Sequence, residues 1–310
     1  MVKYSIGVDL GGTNLRAAAI DEQGRILSKI SGSTKLSAGR DAVVADMVAA
    51  IEKLRAELGS EHLAGIGIGT PGFIIMEKGL ITGSPNLPDF ENYPIRDEIE
   101  RRLRTPVILE NDANAAALGE KWMGAGRDVD DLVLLTLGTG IGGGVIVGGR
   151  VLHGFVGMAG ELGHMTVVPT GNPCGCGNTG CLEKHASATA VSTMARLMGL
   201  GDNLSSEQVY QLAVKGDQKA RVVFEMMGRA LGTALANLVN AFNFPLYLLS
   251  GGMLPAWDFF APAMFEECRR RSFVYRNTNT RIEKAILGNE AGLYGAAYLP
   301  FQAQRAGGAG

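Results

Sequence analysis

The sequence predicts an α/β protein whose sheets are covered by helices. Short apolar strands alternate with longer segments of helical periodicity, the pattern restarts near residue 132, and each half opens with strands joined by a glycine-rich turn. Such alternation is typical of α/β folds. The chain has 310 residues, of which 46% are hydrophobic, so it can bury a sizeable core in two lobes rather than one.

The first half opens with a predicted three-strand meander over residues 5–9, 15–20 and 25–31, because these short apolar runs are separated by turn residues. Apolar side chains at helical spacing predict a helix over 41–58. The other predicted elements of this half are a strand at 64–69, a helix at 95–103, a strand at 107–109 and a helix at 113–123.

The second half repeats the order of strands followed by helices. Its predicted strands are at 132–137, 143–147, 165–168 and 246–250, and its predicted helices are at 182–198, 218–241, 257–271 and 290–299. We expect a smaller N-terminal lobe at 1–112 and a larger one at 113–289. The helix at about 290–300 should pack back on the first lobe, and 301–310, which ends in glycines, should be a flexible tail.

Charge and composition exclude several classes of function. The net charge is −2, with no basic excess and no run of like charges that would favour nucleic acid. No apolar stretch reaches the roughly 18 residues of a membrane span, and no charged segment precedes an apolar one at the start, so we expect no signal peptide and a cytoplasmic protein. Three of the four cysteines crowd together, which in a reducing compartment favours metal over disulfides.

Glycine-rich turns are the first candidate functional feature. The turn after the first strand contains Asp9, Gly11, Gly12, Thr13 and Asn14. Its amides can point into one concavity and bind phosphate oxygens, while Asp9 could hold Mg²⁺ through water. An ordinary hairpin turn is the alternative interpretation, since Gly-Gly is common there.

A second turn, at 137–144, contains Gly138, Thr139 and Gly140. It matches G-x-G-x-x-G formally, as do 67–72 and 175–180, but a dinucleotide site needs a preceding strand and a following helix. Strands are predicted after the first two of these motifs, and cysteines interrupt the third, so we reject NAD binding. Two phosphate-type turns in two halves instead suggest one nucleotide clamped between lobes, with Gly251 and Gly252 seating the adenosine.

A strand is predicted to end, and a helix to begin, at Glu110-Asn111-Asp112. The carboxyl ends of strands are where open α/β sheets bind ligands. Asp112 could simply cap the helix. Alternatively, Asn111 could be the cap, and Asp112 could then accept a proton.

A metal site is indicated by His164 together with Cys174, Cys176 and Cys181. Cys₃His is the four-ligand set of a closed structural zinc site. Glu161 precedes His164 by three residues, and Glu183 follows Cys181 by two. A zinc ion that fixes this segment would therefore also position two carboxylates that can bind sugar hydroxyls, although each glutamate alone could be a solvated surface acid.

Together these motifs resemble the ROK family of bacterial sugar kinases and repressors. Residues 161–164 are similar to its E-x-G-H motif and residues 174–183 to its C-x-C-G-x-x-G-C-x-E motif. The resemblance implies a two-lobed, actin-like (ribonuclease-H-like) ATPase fold with an active-site cleft between the lobes, an ATP and Mg²⁺ site at the three glycine turns, and a homodimer. It implies that Asp112 is the catalytic base and that the sugar is bound by Asn86, Asn111, Glu161, His164 and Glu183.

Within that family, the segment 84–90 is similar to one found in glucokinases, with Asp89 where glycine is expected. The resemblance therefore favours a glucokinase of glycolysis, and kinases of N-acetylglucosamine or N-acetylmannosamine are the alternative. A non-catalytic sugar-sensing ROK protein is the alternative from another class. We expect no DNA-binding module, since only eight residues precede Asp9.

Overall fold

A computed structural model describes residues 2–84 and 87–307, with side chains up to residue 305. The chain divides into two compact units. The first unit comprises Met1–Asp130, Gly144–Gly160 and Leu287–Gly310, and the second comprises Asp131–Gly143 and Glu161–Ile286. The division therefore falls later than the expected boundary after residue 112, and residues 144–160 return to the first unit.

The first unit is built on a five-stranded sheet in the order β3-β2-β1-β4-β7. The first three strands form the predicted antiparallel meander, and β4 and β7 extend it in parallel. A separate antiparallel hairpin contains β5 and β6. The strands are β1 Tyr4–Leu10, β2 Asn14–Asp21, β3 Ile26–Ser33, β4 Leu63–Thr70, β5 Phe73–Ile75, β6 Leu80–Gly83 and β7 Val107–Asn111.

Four α-helices lie among the described residues of this unit: α1 Arg40–Leu58, α2 Ile95–Leu103, α3 Asp112–Trp122 and the last helix, α10 Ala291–Gly307. The buried apolar side chains of α1 and α2 join those of the sheet in one core. The helix α10 packs closely on the sheet and on α3, since a Cβ atom at Gly67 would overlap the Ala296 carbonyl and one at Gly119 would overlap the Ala291 carbonyl.

The second sheet has the order β10-β9-β8-β11-β12. Its strands are β8 Leu132–Leu137, β9 Ile141–Val147, β10 Arg150–Val151, β11 Leu246–Ser250 and β12 Arg281–Lys284. Read in chain order, both five-stranded sheets have the order third, second, first, fourth, fifth. The repeated pattern noticed in the sequence is thus a repeated sheet topology.

The second unit contains six helices among its described residues: α4 Glu183–Ala186, α5 Ala188–Leu197, α6 Ser206–Val214, α7 Gln218–Phe242, α8 Trp257–Arg271 and α9 Phe273–Asn277. By length and composition α7 could cross a membrane, but 61% of its most apolar window is buried inside the protein, as in the core helix of a soluble protein. The helix α7 packs more extensively against α8 than against any other element.

Several predicted elements need correction. Residues 165–168 do not form a strand, and only Thr166 makes an isolated bridge, to Cys181. The helix predicted at 182–198 is broken at Ser187, whose hydroxyl caps α5 by accepting from the Ala190 amide. Residues 301–307 of the expected tail continue α10, in which Phe301 is buried, and residues 308–310 lie outside the described part of the chain.

Candidate active site and metal cluster

The turn between β1 and β2 is held in shape by hydrogen bonds from two sides. The Gly11 amide donates to the Asn14 carbonyl over 2.8 Å. The Thr34 amide donates to the Thr13 carbonyl over 2.8 Å, and its hydroxyl donates to the Gly11 carbonyl over 2.7 Å. Thr13 and Asn14 are exposed. The side chains of Thr13 and Asn14 can therefore reach a ligand, and Gly12 lies beside them in the turn.

Asp9 lies beside this turn and faces Arg16 across the β1–β2 pair. The Arg16 guanidinium is 3.2 Å from the Asp9 carboxylate and also donates to the Asn289 carbonyl. Burial raises the pKa of Asp9 to about 6, the Arg16 charge opposes this shift, and the negative charge of Asp112 adds to it. Asp9, Gly69 and Glu110 lie in register across β1, β4 and β7, so Asp9 and the turn that contains Asp112 are at the same edge of the sheet.

Asn111 caps helix α3. Its side-chain oxygen accepts from the Ala113 amide at 2.9 Å and from the Asn114 amide at 3.2 Å, and its amide group donates to the Gly72 carbonyl. Asp112 is the first residue of the helix, and one of its carboxylate oxygens accepts from the Ala113 amide. Of the two interpretations of this turn, capping by Asn111 is therefore correct.

In the second unit, the turn after β8 is anchored to the beginning of α5. The Gly138 carbonyl accepts from the Ala188 amide over 2.8 Å, and the Thr139 carbonyl accepts from the Thr189 hydroxyl over 2.8 Å. Within the turn, the Gly138 amide donates to the Gly140 carbonyl. The conformation of the turn therefore depends on where α5 starts.

The turn after β11 lies against the end of β8, where the turn at Gly138 begins. Gly251 has φ +101°, and a Cβ atom there would overlap the backbone of Leu137, the residue before Gly138. The Met253 amide donates to the Leu137 carbonyl. Gly252 borders open space. The structure thus brings the two glycine turns of the second unit together, and only glycine allows this approach.

The predicted ligands His164, Cys174, Cys176 and Cys181 form one cluster, with potential ligand atoms all within 4.8 Å of one another. The Cys176 and Cys181 sulfurs are 3.7 Å apart, and the Cys174 sulfur is 3.6 Å from His164 Nδ1. Around a tetrahedral zinc ion, sulfur–sulfur and sulfur–nitrogen separations are about 3.8 and about 3.6 Å. The chemistry and the spacing of these donors therefore both fit a four-coordinate metal.

Two carboxylates lie next to this cluster. Glu161 Oε2 is 3.9 Å from His164 Nε2, on the opposite side of the ring from the nitrogen that faces Cys174. Glu183 accepts from the Cys174 thiol, and it would collide with a Cβ atom at Gly140. Burial raises the pKa of Glu161, the nearby His164 lowers it, and the charge of Glu183 raises it further. Glu161 and Glu183 therefore each lie beside a residue of the cluster, His164 and Cys174 respectively.

The structure groups the predicted site residues within each unit. In the first unit these are Asp9, Gly11, Gly12, Thr13, Asn14, Asn111 and Asp112. In the second unit they are Gly138, Thr139, Gly140, Glu161, His164, Cys174, Cys176, Cys181, Glu183, Gly251 and Gly252. Asn86 lies outside the described residues.

Three residues that shape the site, Arg16, Thr34 and Ser187, belong to none of the predicted motifs. The position of Arg16 could have been found from the hairpin, because a four-residue turn at 11–14, centred between Gly12 and Thr13, places Arg16 opposite Asp9. No comparable signal marked Thr34, whose contact spans 23 residues, or the helix break at Ser187.

The repeated five-stranded sheets, the two phosphate-type turns and the Cys₃His cluster together define a two-unit α/β protein of the actin-like ATPase class. The chain belongs to the ROK family, which it matches over residues 5–303. It is similar to a glucokinase of Halalkalibacterium halodurans, with 36% identity over 96% of this chain and 94% of that relative.

Two solved structures are also similar. A ROK hexokinase from Thermus thermophilus has a TM-score of 0.89 and 38% identity, covering 98% of this chain and 99% of that one. A ROK-family glucokinase from Streptomyces griseus, in complex with glucose and AMPPNP, has a TM-score of 0.79 and 34% identity, covering 96% and 99%. The predicted fold class and the resemblance to sugar kinases are thus confirmed.

Proposed function

We propose that this protein is an ATP-dependent hexose kinase that converts glucose and ATP to glucose 6-phosphate and ADP. The observation that carries the proposal is the position of Asp112, which begins helix α3 at the edge of the sheet where Asp9 and Glu110 lie in register near the ends of β1 and β7. A carboxylate so placed can take the proton of an alcohol as that alcohol attacks phosphorus. Phosphoryl transfer otherwise requires positioning and neutralisation of charge.

In this proposal the sugar is bound by Asn86, Asn111, Asp112, Glu161, His164 and Glu183. Carboxylates and an amide are the groups that bind sugar hydroxyls in pairs. The two ring nitrogens of His164 have different surroundings, with Nδ1 near Cys174 and Nε2 near Glu161. We therefore assign Nδ1 to the metal and Nε2 to a sugar hydroxyl.

The nucleotide is assigned to the three glycine turns, through Asp9, Gly11, Gly12, Thr13, Asn14, Gly138, Thr139, Gly140, Gly251 and Gly252. Backbone amides of these turns would bind phosphate oxygens. Mg²⁺, when bound, neutralises phosphate charge, and the acidic surroundings of Asp9 and Asp112 suit it. Arg16 keeps the Asp9 carboxylate oriented.

The Cys₃His cluster is proposed to hold one structural Zn²⁺ per chain. Four protein donors close a tetrahedral shell and leave no position for water or substrate. The metal ion would connect the segment 174–181 to His164, and this connection would orient Glu161 and Glu183. It has no part in the chemical step.

Glucose is proposed as the preferred hexose because Asn86, Leu87 and Pro88 are similar to a segment of glucokinases, although Asp89 stands where glycine is expected. The test is a panel of sugars with MgATP, in which kcat/KM is measured for glucose, N-acetylglucosamine and N-acetylmannosamine. Glucose should give the highest value. A clear preference for an N-acetylated sugar would replace the glucokinase assignment with one of the other two and leave the kinase assignment in place.

A sugar-sensing protein without catalysis is the competing function. Such a protein would bind hexose and leave ATP intact, whereas a kinase consumes ATP only when the hexose is present. Measuring ADP release with and without glucose separates the two. The position of Asp112 favours the kinase.

The proposal includes a cytoplasmic homodimer, on the resemblance to the family. Light scattering on the purified protein should give twice the mass of one chain. A mass equal to that of one chain across a range of protein concentrations would contradict it.

A further inference from the structure

Glu110 is a buried carboxylate directly before the proposed catalytic turn. It is 1% exposed and belongs to β7. One oxygen accepts from the Asn111 amide at 2.9 Å and from the Asn114 side chain at 3.0 Å, while the other is 2.7 Å from His153 Nε2. Sequence analysis gave this residue no role of its own.

His153 follows strand β10 and is half-buried. The hydrogen bond to Glu110 raises the pKa of His153, burial opposes this shift, and the charge of Glu110 adds to it. A short contact between an imidazole that can carry charge and a buried carboxylate is among the stronger hydrogen bonds in proteins. It links the segment after β10 to the end of β7, within the first unit.

Glu110 accepts hydrogen bonds from residues on both sides of Asp112 in the chain. Asn111 and Asn114, which lie on either side of Asp112 and Ala113, donate to Glu110, and the Asn114 amide also donates to the Asn111 side chain. The first turn of α3 is therefore fixed to the Glu110 carboxylate, and His153 fixes the other side of that carboxylate. An error of about 1 Å in the position of a reacting group can cost about 100-fold in rate.

We propose that His153 is a positioning residue for phosphoryl transfer, because it orients Glu110 and thereby the Asn111–Asp112 turn. The inference rests on the proposed function. His153 itself touches no reacting atom. It should affect the rate of the chemical step and leave ATP binding nearly unchanged, and a mimic of its side chain should restore the rate, unlike for a residue that merely stabilises the fold.

The surroundings of His153 allow chemical rescue. Together with Glu110, Arg96, Arg150 and Gln302, His153 lines a cavity of about 400 Å³ that is open to solvent. Free imidazole could enter the space left by a truncated side chain and donate to Glu110. The experiment therefore uses His153→Ala with and without imidazole, and His62→Ala as the control. His62 is the other histidine of the first unit that lies beside a carboxylate, Glu61.

The wild type and the variants are assayed with glucose and MgATP. His153→Ala should lower kcat by about 10- to 100-fold, with the KM for ATP within about twofold of the wild type, and imidazole should restore much of the loss. His62→Ala should behave as the wild type. If the wild type phosphorylates glucose and His153→Ala has the same kcat, this inference is overturned and the proposed function stands. A kcat loss that imidazole cannot restore would have the same consequence. A wild type that never phosphorylates a hexose would remove the proposed function and this role with it.

A second pair of variants keeps the size of the side chain, in case the alanine variant is unstable. His153→Gln retains a donor within reach of Glu110, and His153→Leu does not. The glutamine variant should keep most of the wild-type kcat, and the leucine variant should show the loss expected for alanine. Equal kcat values for these two variants would contradict the role of the hydrogen bond.

Discussion

The two units hold their proposed functional carboxylates in different ways. In the first unit, Asp9 lies near the end of β1 and Asp112 begins α3, so regular secondary structure fixes both. In the second unit, every residue from 161 to 182 is described, and this segment contains only the helical turn Leu162–His164 and isolated bridges, while Glu183 begins the single-turn helix α4. There Glu161 and Glu183 flank the Cys₃His cluster. We infer that a metal crosslink does in the second unit what strand ends and a helix cap do in the first.

The largest expected effect comes from the first unit. Asp112→Asn keeps the shape of the side chain and removes the base, so kcat should fall by about 10²–10⁴, while the Kd for glucose should change little. Steady-state kinetics and calorimetric titration with glucose measure the two effects. Asp97→Asn, an exposed acid of α2 in the same unit, is the control and should behave as the wild type. A variant at position 112 that retains most of its kcat would rule out the assigned role.

Breaking the crosslink of the second unit should instead weaken sugar binding. Cys176→Ser should lose zinc and thermal stability, because metal binding contributes folding free energy. Glucose should bind about 10- to 100-fold more weakly, with a much smaller change in the KM for ATP. Elemental analysis, thermal unfolding and glucose titration check these outcomes.

Cys268→Ser is the matched control, since Cys268 is a buried cysteine of the same unit outside the cluster. It should lose stability, keep its zinc and bind glucose normally. Wild-type protein without stoichiometric zinc, or a zinc-free Cys176→Ser that binds glucose normally, would contradict the crosslink account.

Helix capping in the second unit gives a smaller effect. Ser187 caps α5, whose first residues hold the turn at Gly138 and Thr139. Ser205 caps α6 in the same manner but is exposed. Replacing either serine with alanine should cost about 1 kcal/mol of stability. Only Ser187→Ala should also raise the KM for ATP, and equal KM values for the two variants would show that the start of α5 does not control the turn.

The smallest effect concerns a structural ion pair of the second unit. Glu267 is buried, which raises its pKa, but hydrogen bonds from Arg270 and Arg271 more than offset this and lower the pKa to about 2. Because the folded pKa is depressed, the stabilisation is present above the unfolded pKa of about 4.3 and is lost as the pH falls towards 2. Both arginines are partly exposed, so we expect only about 1 kcal/mol.

Thermal unfolding of Glu267→Gln at a series of pH values measures this contribution. The difference in midpoint from the wild type should be largest near neutral pH and should shrink below pH about 4.3. Glu266→Gln, which changes the exposed neighbouring acid, is the control and should show little difference at any pH. A Glu267→Gln difference that grows in acid would contradict the sign of the shift.

Local sequence patterns decide some elements of this fold and tertiary contacts decide others, and only the first kind could be predicted from the sequence. The meander, α2, α8 and β11 were predicted closely, because local periodicity and turn residues decide them. The edge strand β12, with the sequence Arg-Ile-Glu-Lys, was missed because it offers one buried side chain, Ile282. The helix α10 continues through Pro300 because Phe301 is buried, a tertiary contact that local rules do not contain.

For the site, the motifs predicted which residues cluster but not how they are held. Ligand count alone predicted the Cys₃His cluster, since cysteines so close together rarely have another purpose. Whether Asn111 or Asp112 caps helix α3 could be decided only from the side-chain hydrogen bonds in the structure. The contact between His153 and Glu110 spans 43 residues, and no local pattern encodes such a pairing.

The central claim is that this chain phosphorylates a hexose with ATP, and the most direct test is the stoichiometry of that reaction. Purified protein is mixed with glucose and MgATP, and ADP and sugar phosphate are quantified over time. The account predicts one glucose 6-phosphate for each ADP, and little ADP when glucose is omitted. ADP formed at the same rate without glucose, or glucose bound with ATP left intact, would contradict it.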